Sequence, residues 1–178
     1  MARDQAASSK RKPLYTAEQR RVRDASKWTL VQGILAPVQF LIFLISLGLV
    51  LRYLATGEGQ MEATLSIIIK TLTLYTIMIT GAIWEKVVFG VYLFAEGFFW
   101  EDVFSMLVLA LHTAYLAALS MHWLDERSLM LLALAAYATY VVNAMQFILK
   151  LRAARLQAAS EENKSSQMTS TPAWDGAR

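Results

Sequence analysis

Glu85, Glu96, Glu101 and Asp102 crowd one short stretch of an otherwise apolar chain, with Lys86 as the one base beside them. Six aromatic residues fall between positions 89 and 100 of the same stretch. A carboxyl in apolar surroundings holds its proton to higher pH than one in water, which suits a general acid near neutrality. Glu85, Glu101 and Asp102 are therefore the candidate catalytic groups. Trp84, Tyr92 and Trp100 are read either as an aromatic belt at headgroup level or as part of the same site. His112 stands eleven residues after Glu101, about 20° off three full helical turns, so both share one helix face about 16 Å apart. An imidazole there either makes an interhelical hydrogen bond or serves as axial ligand to a metallated macrocycle. A flat apolar ligand centred near His112 would present one edge to Glu85, Glu101 and Asp102.

These groups need a scaffold, and the scaffold is apolar. The 178 residues are 56% hydrophobic and 17% charged, against roughly 45–50% and 25% in soluble domains. A bilayer core takes about 20 apolar residues per helix, and residues 28–51, 63–84, 103–124 and 128–149 each qualify. The second of these carries Lys70, whose stem is expected to snorkel toward the headgroups. Residues 1–27 and 150–178 hold 13 of the 17 Lys and Arg but 6 of the 14 acids; residues 28–149 hold 4 bases and 8 acids. With Lys86 added, the tails and the middle loop share one basic side, so the positive-inside rule places both termini in the cytoplasm. The expected fold class is all-α: a polytopic membrane protein with a four-transmembrane-helix bundle. Thr16, Ala17, Glu18 and Gln19 read as a capping box opening an N-terminal interfacial helix that carries Arg20, Arg21, Arg23 and Lys27. The expected division is a disordered basic tail (1–15), one membrane domain (16–158) and a disordered polar tail (159–178). The first apolar run starts at Trp28 and is too long for a cleavable signal peptide.

Several chemistries are excluded within this chain. It has no Cys, hence no disulfide, thiolate metal site, iron–sulfur cluster or Cys nucleophile. Neither a Walker loop nor a dinucleotide-type glycine fingerprint occurs. The basic excess belongs to the tails and sets topology, so it is no nucleic-acid signature.

Each span carries polar residues at helical spacing: Gln32, Gln39 and Ser46; Lys70, Thr73, Thr80 and Trp84; Glu101, Ser105, His112 and Tyr115; Thr139, Asn143, Gln146 and Lys150. Polar side chains in membrane helices turn away from lipid, so four such stripes imply a bundle with a partly polar interior. Hydrogen bonds between helices account for many of them at about 0.6 kcal/mol each.

The strings KWTLVQG at 27–33, GAIWEKVVFG at 81–90, FFWEDVFSM at 98–106, LHTAY at 111–115 and AYATYV at 136–141 resemble the 3-vinyl bacteriochlorophyllide hydratase family. The similarity covers about residues 14–158. At Ala95, Glu96 and Gly97 the chain departs from the pattern, which puts Glu96 in doubt as a family-wide catalytic residue. The resemblance implies a hydro-lyase of bacteriochlorophyll synthesis that adds water across the 3-vinyl group of chlorophyllide a, or its bacteriochlorin counterpart, giving a 3-(1-hydroxyethyl) group. It implies no cofactor, the magnesium being carried by the substrate, and the inner or intracytoplasmic membrane of a phototrophic bacterium. Implied partners are the pigment, membrane lipid and neighbouring bacteriochlorophyll-synthesis enzymes. For that reaction Glu101 is the expected acid, with Asp102 or Glu85 steadying the cation and orienting water. Lys86 pairs with the substrate's propionate or with Glu85. His112 ligates the pigment's magnesium or bonds another helix. Asn143 and Gln146 would hydrogen-bond ring oxygens, with Trp84, Trp100 and Tyr115 completing the substrate-binding set. The rival readings are a non-catalytic tetrapyrrole carrier or assembly factor, and an oligomeric transporter, which would require Lys70 to be buried.

Overall fold

The computed structural model describes residues 14–170. Five helices follow one another, with no strand among the described residues: α1 (Ala17–Ala25), α2 (Lys27–Thr56), α3 (Gln60–Phe89), α4 (Phe99–Met121) and α5 (Glu126–Ser170). Helices α2 to α5 each contain a segment long and apolar enough to cross a membrane.

The breaks between helices follow local chemistry. The Thr16 hydroxyl accepts from the Gln19 N–H, and the Gln19 side chain accepts from the Thr16 N–H at 2.9 Å, completing the capping box of α1. Ser26 ends α1 and caps α2, accepting from the Trp28 N–H at 3.2 Å. The short turn into α3 needs left-handed backbone at Gly57 (φ 75°) and Gly59 (φ 83°), which glycine adopts without a Cβ penalty.

Helix α2 packs most extensively on α3, and α4 on α5; contacts of α2 with α5 and of α3 with α4 close the bundle. The core contains Phe43, Val50, Ile67, Val108, Tyr115 and Tyr137, with Phe43 edge-on to Tyr137 at 5.4 Å. Ser46 joins three helices by bonding both Ser66, at 2.7 Å, and the Tyr137 hydroxyl. Large apolar side chains such as Leu30, Ile34, Leu41, Ile45, Leu65 and Ile69 face outward. An apolar exterior around a partly polar interior is the arrangement lipid selects.

Three sequence expectations are corrected. Lys70 does not snorkel: it is 0% exposed, with Nζ 3.8 Å from the centre of the Tyr140 ring. It lies ten residues inside α3, about 15 Å along the axis, beyond the reach of its stem, and the Tyr140 π face takes the ammonium instead. The tail boundary at 159 does not end the last helix, since α5 continues to Ser170; residues 159–170 contain neither Gly nor Pro, and the next Pro along the chain is Pro172. Tyr15, placed in the disordered tail, is 3% exposed and packs on Phe89 and Phe98. The remainder of both expected tails, residues 1–13 and 171–178, lies outside the described residues.

Candidate active site

All five helices contribute to a cavity of about 830 Å³. Its wall includes Trp84 and Glu85 from α3, Asp102 and Ser105 from α4, Asn143 from α5 and Gln39 from α2. Glu85 and Asp102 are buried in that wall, 5% and 3% exposed.

The segment between α3 and α4 builds this pair. Gly90 ends α3 in the left-handed region (φ 82°), its N–H bonding the Lys86 carbonyl at 3.1 Å. Phe94 takes φ 61°, a conformation that costs a bulky L-residue free energy. What it achieves is geometric: the Phe94 N–H donates to Asp102 Oδ2 at 2.7 Å, and the next N–H, of Ala95, donates to Glu85 Oε2 at 3.3 Å. Two successive amides thus hold two carboxyls from two helices. Asp102 also lies in the first turn of α4, where the helix dipole favours negative charge.

Glu101 is placed differently. It is 6% exposed but pairs with Lys150 Nζ, which also donates to the Gly97 carbonyl. Adjacent helical residues point about 100° apart, so Asp102 faces the cavity while Glu101 faces α5; Glu101 is not among the cavity-lining residues. The same spacing separates Lys86 from Glu85, and the two do not pair. Lys86 is exposed, donates to the Gly90 carbonyl at 2.7 Å and lies over the Tyr92 ring at 5.2 Å.

Trp84 is fixed by its indole N–H, which donates to Thr29 Oγ1 at 2.9 Å, and it meets Phe98 edge-on at 5.8 Å. Trp100, 66% exposed, faces outward. Asn143 donates to Ser105 Oγ at 2.8 Å, and its Oδ1 is buried without a hydrogen bond. His112 is 1% exposed; Nδ1 meets the Val108 carbonyl at 2.8 Å, Nε2 has no hydrogen bond, and the ring lies 5.8 Å from Tyr137. Neither His112, Tyr115 nor Gln146 lines the cavity. The structure thus unites Trp84, Glu85, Asp102 and Asn143 around one space, and sets Glu101, Lys86, Trp100, His112, Tyr115 and Gln146 elsewhere.

Sequence reasoning placed Gln39 and Ser105 in polar stripes without assigning them to the site. Gln39 is 2% exposed, lines the cavity, and has neither amide atom hydrogen-bonded. Its seven-residue spacing from Gln32 and Ser46 was the available signal. At the outer end of the cavity stand Tyr15, Arg20 and Arg23. Burial pushes the Tyr15 phenol above its ordinary range, so this part of the wall is a neutral hydroxyl.

Fold and cavity define a class: an all-α protein with four helices long and apolar enough to cross a membrane, around a large, mainly apolar space with two buried carboxyls in its wall. Comparison with known proteins narrows it. The pattern of the 2-vinyl bacteriochlorophyllide hydratase family matches residues 15–153, and the chain belongs to that family. It is 69% identical over 152 residues to the 2-vinyl bacteriochlorophyllide hydratase of Rhodobacter capsulatus, covering 85% of this chain and 88% of that one. Against the protein of the same name from Cereibacter sphaeroides it is 71% identical over 146 residues, covering 80% and 89% respectively. No solved structure matches the chain.

Proposed function

We propose that the cavity holds a chlorophyllide-type macrocycle with its vinyl group against Glu85 and Asp102, and that this pair conducts the addition of water. The chain is a hydro-lyase of bacteriochlorophyll synthesis, as membership of its family entails. The vinyl group numbered 2 in the relatives' names is the 3-vinyl group of current tetrapyrrole numbering. The single observation that carries the site assignment is the pair of buried carboxyls in the cavity wall, held by two successive backbone amides.

In the proposed mechanism the pair holds one proton between its two carboxyls, and that proton passes to the terminal vinyl carbon. The carbon attached to the macrocycle becomes a cation delocalised into the ring. The pair, now carrying two negative charges, stabilises that cation and accepts a proton from the attacking water. The oxygen forms the new C–O bond, the product is the 1-hydroxyethyl group, and the pair regains one proton. No electrons leave or enter, so the addition calls for no redox cofactor, and the magnesium in the site is the pigment's own.

This reading transfers the acid role from Glu101 to the pair. Glu101, neutralised by Lys150, anchors the start of α4 and thereby the position of Asp102. Asn143 and Gln39 offer hydrogen bonds to ring oxygens, and Trp84 with Phe98 supplies apolar wall. His112, sealed in the helix core, acts as a packing residue in this reading. We place the protein in the inner or intracytoplasmic membrane of a phototrophic bacterium, with both termini cytoplasmic and α1 lying along the membrane surface. The basic tails support that orientation.

Purified protein incubated with chlorophyllide a should convert it to a product heavier by one water. Pigment recovered bound but unchanged would instead support the carrier reading.

A further inference from the structure

We propose that Arg155 and Arg23 form a carboxylate-recognition site at the outer end of the cavity, holding the pigment's free propionate so that its vinyl edge points inward to Glu85 and Asp102. The inference rests on the hydratase reading of the cavity.

The first observation is how the basic side chains divide. On α1, Arg20 and Arg23 line the cavity, whereas Arg21 is exposed and lies off its wall. On α5, Arg155 lines the cavity and Arg152 does not. Positive-inside anchoring is satisfied by a cation on any face of a helix, so it does not account for cations selected toward the cavity. Asp24 also lines this end, but it is matched by Arg23 at 2.8 Å, leaving the group net positive. Arg23 is held in place from its other side by the Tyr15 ring, 4.7 Å from the guanidinium carbon.

The second observation is where these cations stand. Arg155 is five residues beyond Lys150, about 7.5 Å further along α5, and Lys150 marks the level of Glu101, next to Asp102. The arginines therefore lie outward of the carboxyl pair. A pigment ending in "-ide" carries a free carboxylate, and on the macrocycle the propionate and the vinyl group stand on neighbouring pyrrole rings, each on the flank turned away from the other. A charged group is costly in the bilayer interior, so the propionate stays outermost and the vinyl enters first. Guanidinium groups suit carboxylates because they bind them bidentately. Lys86, the other cation considered for this role, is bonded to Gly90 off the cavity wall.

The test compares chlorophyllide a with its methyl ester as substrates for the full-length protein in detergent micelles. Wild type should show a KM for the acid about tenfold below that for the ester, the scale of one charge-assisted hydrogen bond. Arg155→Gln and Arg23→Gln should raise the KM of the acid and leave the KM of the ester and both kcat values near wild type. Arg155→Lys should restore part of the preference. Arg155 is exposed, so its replacement leaves the fold intact. Equal KM values for acid and ester in wild type would overturn the proposal, as would variants that weaken both substrates alike, the pattern expected if these arginines serve lipid phosphates. Absence of hydration of either substrate by wild type would instead defeat the hydratase reading.

Discussion

Two neighbouring carboxylates, Glu101 and Asp102, do different work because consecutive helical residues point in different directions. Asp102 turns to the cavity beside Glu85, whereas Glu101 turns to α5 and meets Lys150. The acidic cluster was legible in the sequence. The partition within it was not, since Lys150 lies 49 residues from Glu101 and only the α4–α5 packing brings them together. The failure of Glu85 and Lys86 to pair has the same origin, because adjacent side chains on a helix do not face each other. The Glu101–Lys150 pair is a structural element whose two halves depend on each other. Lys150→Met leaves the buried carboxylate uncompensated and should lower the thermal midpoint of unfolding. Removing both charges in Glu101→Gln/Lys150→Met should recover most of that loss, since an apolar or neutral replacement of a whole pair is tolerated better than half of it. A thermal melt of the four proteins in one detergent reads the cycle directly; additive losses would show the pair to be uncoupled.

At the scale of elements, the four spans could be read from length and hydrophobicity, and the start of α1 from its capping box. The segment between α3 and α4 resisted that reading. The apolar run Val87–Ala95 straddles the end of α3 without marking it, and nothing in the sequence around Phe94 announces a positive φ. That conformation is imposed by the two carboxyls, which draw the N–H groups of Phe94 and Ala95 inward. The backbone there is therefore part of the site. Phe94→Pro removes one of these donors and forbids the observed φ, so it should reduce hydration about 100-fold or more. Phe94→Gly keeps both N–H groups and relieves the strain, so it should retain most activity. Initial rates of hydroxyethyl-pigment formation by the two variants compare them; equal rates would remove the loop from the mechanism. Lys70 teaches the converse lesson. Its type and depth suggested a headgroup-facing stem, but the aromatic rings of Phe43 and Tyr140, on other helices, provide an internal resting place that one helix alone cannot reveal.

For the whole molecule, a mildly basic chain resolves into basic ends and an acidic, membrane-embedded middle. In the proposed orientation the basic ends are cytoplasmic, and the acidic middle supplies the carboxyls in the wall of the apolar space. Because the chain contains no Cys, single introduced cysteines report sidedness without background. A cysteine at Ser9 or Ser166 should resist a membrane-impermeant maleimide in intact cells and react once the membrane is opened. Glu58→Cys, in the α2–α3 turn, should react in intact cells. Labelling of Ser9→Cys from outside would reverse the orientation. The cavity itself depends on all five helices and could not be read from any single stretch. Its polar lining was foreshadowed by the spacing of Gln39, Ser105 and Asn143, but its position and its arginine-bearing rim emerge only when α1 folds back over α3.

The central claim is that the Glu85–Asp102 pair, and not Glu101, supplies the proton. The most direct measurement is the rate of water addition to chlorophyllide a by Glu85→Gln/Asp102→Asn beside Glu101→Gln, with pigment binding measured in parallel. General acid–base groups contribute about 10²–10⁴-fold, so the double variant should bind pigment and lose at least about 100-fold in kcat, while correctly folded Glu101→Gln keeps kcat within about tenfold. A double variant that hydrates at the wild-type rate, or a Glu101→Gln protein that binds pigment but no longer hydrates it, would contradict the assignment.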